Sequence, residues 1–172
     1  MSGQTKRHLF IPDIHCKPDT DKTYLRAIGN LIVDMQPDVV VHIGDHWDMA
    51  SLSSYEERSS AYFHDKTYHD DIVAGHEGMD ELLGPLRKYQ NRMTINKKRR
   101  YNPRLVFCLG NHENRISRAV HKDPRLEGTV GYHDLRLKEL GWEQHGFLDI
   151  VEIDGILYSH YFVNPLSLTK NS

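Results

Sequence analysis

Three short apolar runs in this chain each stop at a cluster of side chains able to bind metal or move protons. Residues 8–11 run into Pro12-Asp13-Ile14-His15, residues 38–43 into Gly44-Asp45-His46-Trp47-Asp48, and residues 105–109 into Gly110-Asn111-His112-Glu113. A fourth run, 156–159, ends at His160. Runs rich in Val, Ile and Leu suit a sheet covered on both faces. In an open α/β sheet, ligands gather outside the carboxyl ends of the strands, so residues distant in sequence converge there. Glycine opening the second and third clusters lets the chain turn sharply without a Cβ penalty. In Asp13-Ile14-His15, alternation points the two polar side chains the same way, a half-site for a divalent ion.

The intervening segments supply helices. Leu25, Ile28, Leu31, Ile32 and Met35 share one helical face across residues 20–35, with Asp19 or Thr20 as cap and Pro37 beyond the end. Residues 50–71 are polar and aromatic without a period, which reads as loop or short helical turns. Residues 72–93 are helical again, with an interruption expected at Gly84-Pro85. Further helices are expected over 115–121 and 134–140. Residues 148–153 and 156–159 read as strands joined by the turn Asp154-Gly155. This order implies an α/β domain with a mixed sheet. With 172 residues and no repeat or linker, one domain spanning 1–172 is expected.

Composition narrows the function. Lys and Arg total 22 against 24 Asp and Glu, so overall charge drives the chain toward neither nucleic acid nor membrane. No apolar stretch approaches the roughly 20 residues that cross a bilayer. Two cysteines cannot build a disulfide framework, and a reducing cytoplasm is the expected setting. Twelve histidines are an unusual supply of ligands and acid–base groups, and four of them sit in the strand-end clusters or at the end of the fourth run. His42, inside an apolar run, reads as a hydrogen-bonded core residue.

The order Asp-x-His, Gly-Asp-x-x-Asp, Gly-Asn-His-Glu and a lone His, from Asp13 to His160, resembles the calcineurin-like metallophosphoesterase superfamily. The resemblance implies an α/β/β/α sandwich with a dinuclear metal site at the sheet edge. Asp13 and His15 would hold one ion, Asn111 and His160 the other, and Asp45 would bridge them. A bridging carboxylate sets two ions about 3.5–4 Å apart, where they activate a water and neutralise phosphoryl oxygens. His112 would protonate the leaving oxygen, with Asp48 orienting its ring, and Arg115 is a candidate for gripping the substrate phosphate. This donor set suits Mn²⁺, the expected metal, as well as Fe, Zn or Mg.

The implied activity is hydrolysis of phosphate esters, as a phosphatase or phosphodiesterase. Lys97, Lys98, Arg99 and Arg100 leave open a nuclease that tracks a nucleic acid backbone. A non-catalytic metal-binding or protein-binding module is the alternative of another class. The pattern departs from the family in one place. No Gly-His-x-His follows His160, and Gly75-His76 supplies its first two letters in the wrong order. A fold truncated at its C-terminal end is therefore expected, with the oligomeric state left open.

Overall fold

The computed structural model describes residues 5–53 and 67–163. His64 and most of the aperiodic stretch expected as loop lie outside the described residues. Strands β1 (His8–Ile11), β2 (Val39–His42), β3 (Arg104–Cys108) and β4 (Glu143–His145) form one sheet in the order β1-β2-β3-β4. Every pairing in it is parallel, with Phe10 opposite Val41 and Val41 opposite Val106. The mixed sheet expected from sequence is corrected by this. Strands β5 (Val151–Ile153) and β6 (Ile156–Tyr158) form a separate antiparallel hairpin that stacks on the sheet without joining it.

Alternation along the strands divides the core. Ile11, Val40 and Phe107 face the helices, while Val39, Val41, Val106 and Cys108 face Val151, Ile153 and Tyr158 of the hairpin. The result is a helix layer, a parallel sheet and a β layer, the α/β arrangement implied by the strand-end motifs. Among the described residues, no helix is long and apolar enough to cross a membrane.

Helices α1 (Leu25–Met35), α2 (Tyr68–Ile95) and α3 (Asn114–Lys122) contribute to the helix-side core. Neither Asp19 nor Thr20 caps α1, which starts later than its spacing suggests. Asp21 instead accepts hydrogen bonds from the Thr23 amide and hydroxyl in a turn ahead of the helix, and the N-cap Tyr24 has no side-chain cap. A reciprocal Thr67–Asp70 capping box opens α2.

The expected break at Gly84-Pro85 is also corrected, since α2 runs unbroken through Pro85. An internal proline costs a helix about 3 kcal/mol. Burying Leu82, Leu83 and Leu86 contributes roughly 1.5–3 kcal/mol each and outweighs that loss. Gly29 of α1 makes this contact possible. A Cβ there would lie 2.3 Å from the Leu82 carbonyl oxygen and 2.9 Å from Pro85 Cδ.

Two further differences concern the segment after α3. The helix expected over 134–140 is a single 3-10 turn, Tyr132–Leu135, ended by Arg136 at φ 50°. Leu135 and Leu137 are buried all the same, so the apolar spacing reflected burial without helical geometry. Strand β4 went unread because Glu143, Gln144 and His145 are polar edge residues with no apolar alternation.

Candidate metal centre

The carboxyl ends of β1, β2 and β3 lie side by side, and the three loops leaving them are laced by main-chain hydrogen bonds. Asp45 O accepts from Ile14 N and His15 N, His46 O accepts from Cys16 N, and Cys16 O accepts from Asp48 N. The third loop is tied to the second by Glu113, which is wholly buried. Its Oε2 accepts from Asp45 N and Gly110 N at 2.8 Å each, and its Oε1 accepts from His46 N at 2.8 Å and Trp47 N at 3.0 Å. Burial pushes this carboxyl up to about 7, aided by the charge of Asp45, while the surrounding amides pull it back down. Gly110 must be glycine for the loops to meet, because a Cβ would lie 2.1 Å from Asp45 Oδ1.

This lacing gathers Asp13, His15, Asp45, Asn111 and His112 at one edge, and His160, just past β6, joins them through a side-chain hydrogen bond to the Ile43 carbonyl. Donor atoms of Asp13, Asp45 and His160 lie within 4.8 Å of one another, and so do those of His15, Asp45 and His112. Asp45 belongs to both groups. Its Oδ2 lies 3.6 Å from His160 Nε2 and 3.8 Å from His112 Nε2, and its Oδ1 accepts from the His112 amide at 2.8 Å.

Three details show that the donors suit a cation. His160 Nδ1 donates to the Ile43 carbonyl at 2.7 Å, which leaves Nε2 with a lone pair in the neutral ring. That nitrogen faces Asn111 Oδ1 at 2.8 Å. Two acceptors at that separation repel unless a proton or cation lies between them. His15 Nδ1 is buried without a hydrogen-bond partner; Asp48 Oδ1 is 3.3 Å away but off the line a hydrogen bond needs. The Asp48 carboxylate nevertheless raises the His15 pKa above its ordinary value, with Asp45 and Asp13 adding to it against burial.

His112 is fixed by main chain. Its Nδ1 donates to the Asp48 carbonyl at 2.6 Å, while the Asp48 carboxylate stands farther off, at 3.6 Å. Asp48 thus holds the ring through its backbone oxygen, and its carboxylate lies nearer His15. Burial opposes ionisation of that carboxylate, yet His15, Lys17 and His112 together hold Asp48 below the usual range. Arg115 completes the cluster. One nitrogen donates to the Asp48 and Met49 carbonyls at 3.0 and 3.2 Å, and the other meets His112 Nε2 at 3.2 Å. Burial lowers the His112 pKa, with Arg115 and His15 lowering it further and the Asp48 carbonyl and Asp45 charge opposing them.

Other residues singled out from sequence lie elsewhere. Gly75 and His76 sit on α2, where His76 Nε2 bonds the Asp134 carbonyl. The exposed run Lys97–Arg100 connects the end of α2 to the start of β3, at the amino edge of the sheet opposite the metal-competent cluster. Glu113 was the functional residue that sequence reasoning left without a role. Its signal was available: a carboxylate next to a buried strand must find strong donors or unfold the edge.

This arrangement at the carboxyl edge of a parallel sheet is the one the resemblance to metallophosphoesterases implies. The sequence matches the calcineurin-like phosphoesterase family across residues 6–168, and the chain belongs to that family. It is also 31% identical over 166 residues to the Gene 54 protein of Mycobacterium phage D29, covering 94% of this chain. The chain spans 54% of the length of that phage protein.

Proposed function

We propose that this chain hydrolyses phosphate esters at a dinuclear centre held by Asp13, His15, Asp45, Asn111 and His160. The observation that carries this reading is Asp45, whose carboxylate is shared by two groups of donors. Two divalent ions there would polarise the phosphoryl oxygens and acidify an attacking water. Oxygen and imidazole donors favour Mn²⁺, with Fe, Zn or Mg as alternatives.

The protein's own residues supply the rest. The Asp48 carbonyl accepts from His112 Nδ1, so a second proton on that ring resides on Nε2, facing the centre. His112 is thereby oriented to hand a proton to a leaving alkoxide or aryloxide. Arg115, anchored on two carbonyls, is placed to swing its free edge from His112 onto a phosphoryl oxygen. The Lys97–Arg100 run lies beyond the opposite edge of the sheet, away from the proposed centre. A phosphatase or phosphodiesterase of unspecified substrate is therefore preferred to a nuclease reading built on that run.

The test is metal content with turnover. Metal per chain is counted, and hydrolysis of an aryl phosphate, an aryl phosphodiester and single-stranded DNA is compared with added Mn²⁺. His112→Ala should cut turnover by about 10²–10⁴-fold and leave metal content unchanged. Less than one metal per chain and no turnover in the parent protein would sink the reading and favour a binding module.

A further inference from the structure

His42 on β2 and His46 in the loop after it are both wholly buried and in contact. Buried imidazoles are tolerable when neutral and fully hydrogen-bonded. Here the geometry decides which nitrogen carries each proton. The Gly44 amide can only donate, so His42 Nδ1 accepts from it at 3.1 Å. The neutral His42 ring then bears its proton on Nε2 and donates to His46 Nδ1 at 3.2 Å. His46 in turn donates from Nε2 to the Gly75 carbonyl of α2 at 3.0 Å. The same His46 nitrogen also lies 3.6 Å from Cys16 Sγ, and otherwise each ring uses one donor and one acceptor.

Both ends of this chain fall at places that need support. At one end, Gly44 has φ +95° and Asp45 φ +48°, consecutive left-handed residues. An aspartate held there is strained and persists only where its surroundings over-determine it. Glu113 holds the Asp45 amide, and His42 holds the Gly44 amide just before it. At the other end, α2 approaches the loops with no room to spare. A Cβ on Gly75 would lie 1.9 Å from Trp47 Nε1, and one on Gly78 would lie 2.3 Å from Cys16 Sγ and 3.0 Å from His46 Nε2.

We propose that His42 and His46 are positioning residues, a tautomer-locked pair that ties the Gly44–Asp45 turn to α2 and so aims the bridging carboxylate. The proposal rests on the reading of Asp45 as the bridging ligand. Neither ring touches the reacting atoms, and both act through the main chain that carries Asp45.

Polar and apolar replacements separate positioning from core filling. Asn at position 42 offers an amide oxygen to Gly44 N, and Gln at position 46 offers an N–H to the Gly75 carbonyl. His42→Leu and His46→Leu remove the hydrogen bonds and keep an apolar filling. Mn²⁺ affinity by calorimetry should fall about 10–100-fold in folded Leu variants and recover largely in His42→Asn and His46→Gln, as expected when supporting partners of a metal ligand are lost and restored. Nitrogen-15 NMR of the metal-free parent should show both rings as the Nε2–H tautomer. Leu variants that fold and bind Mn²⁺ like the parent, polar variants that fail to recover, or Nδ1–H rings would overturn the proposal. A parent protein that binds Mn²⁺ tightly without hydrolysing esters would defeat the proposed function and leave the positioning test intact. A parent that binds no Mn²⁺ defeats both.

Discussion

Glu113 holds Asp45 in place without touching its side chain: Glu113 Oε2 accepts the Asp45 amide at 2.8 Å, and Glu113 Oε1 takes the next two amides of the same loop. With Gly110 N included, both carboxylate oxygens are saturated by donors. A neutral amide cannot replace them, because its NH₂ would point at two N–H groups. We expect Glu113→Gln to cost about 3–5 kcal/mol, the range for breaking a buried charged network. Thermal unfolding should then fall by about 10 °C or more, given the usual shift per kcal/mol for a chain of this length. An unchanged unfolding temperature would contradict the role given to Glu113.

Asp71 on α2 offers a pH test. Its Oδ2 accepts from Ser51 N at 2.9 Å, while Oδ1 is buried without a hydrogen-bond partner among the described residues. Burial raises its pKa above the ordinary value of 3.8. A raised folded pKa means stability that is fully present below the unfolded value and is lost as pH rises through the folded one. Asp71→Asn removes the charge and this dependence. As pH rises above the ordinary value of 3.8, the unfolding temperature of the variant should therefore gain on that of the parent. A gap that stays constant with pH would show that Asp71 carries no buried charge penalty.

Much of this arrangement was legible in the sequence because its strongest signals are physical necessities. Val39, Val40 and Val41 read as a strand with both faces covered, and both faces are covered, by helices on one side and the β5–β6 hairpin on the other. The strand-end clusters could be paired with one another because parallel strands deliver their carboxyl ends to one edge. What escaped depended on contacts between distant residues. Pro85 stays inside a helix because Gly29 lets α1 close upon it, and no local window contains both residues. Glu143 of β4 pairs bidentately with Arg104 of β3, again a contact between distant residues. The backbone oxygen of Asp48, which holds His112, has no signature at all in residue types.

Arg115 makes three contacts that a lysine could not reproduce, since its planar fork reaches two carbonyls and His112 Nε2 together. We expect Arg115→Lys to lower kcat/KM for an aryl phosphodiester by about tenfold or more while Mn²⁺ affinity stays near the parent value. Equal loss of metal binding would instead place Arg115 among the supports of the centre. Full activity would remove it from substrate binding.

The sharing of Asp45 between two donor groups is tested most directly by the magnetic coupling of bound metal. With Mn²⁺ added to saturation, the parent protein should bind two ions per chain and give the electron paramagnetic resonance spectrum of an exchange-coupled pair about 3.5–4 Å apart. Asp45→Asn should abolish that coupled signal. A spectrum of isolated ions in the parent protein, or a coupled pair that survives in Asp45→Asn, would contradict a dinuclear centre bridged by this carboxylate.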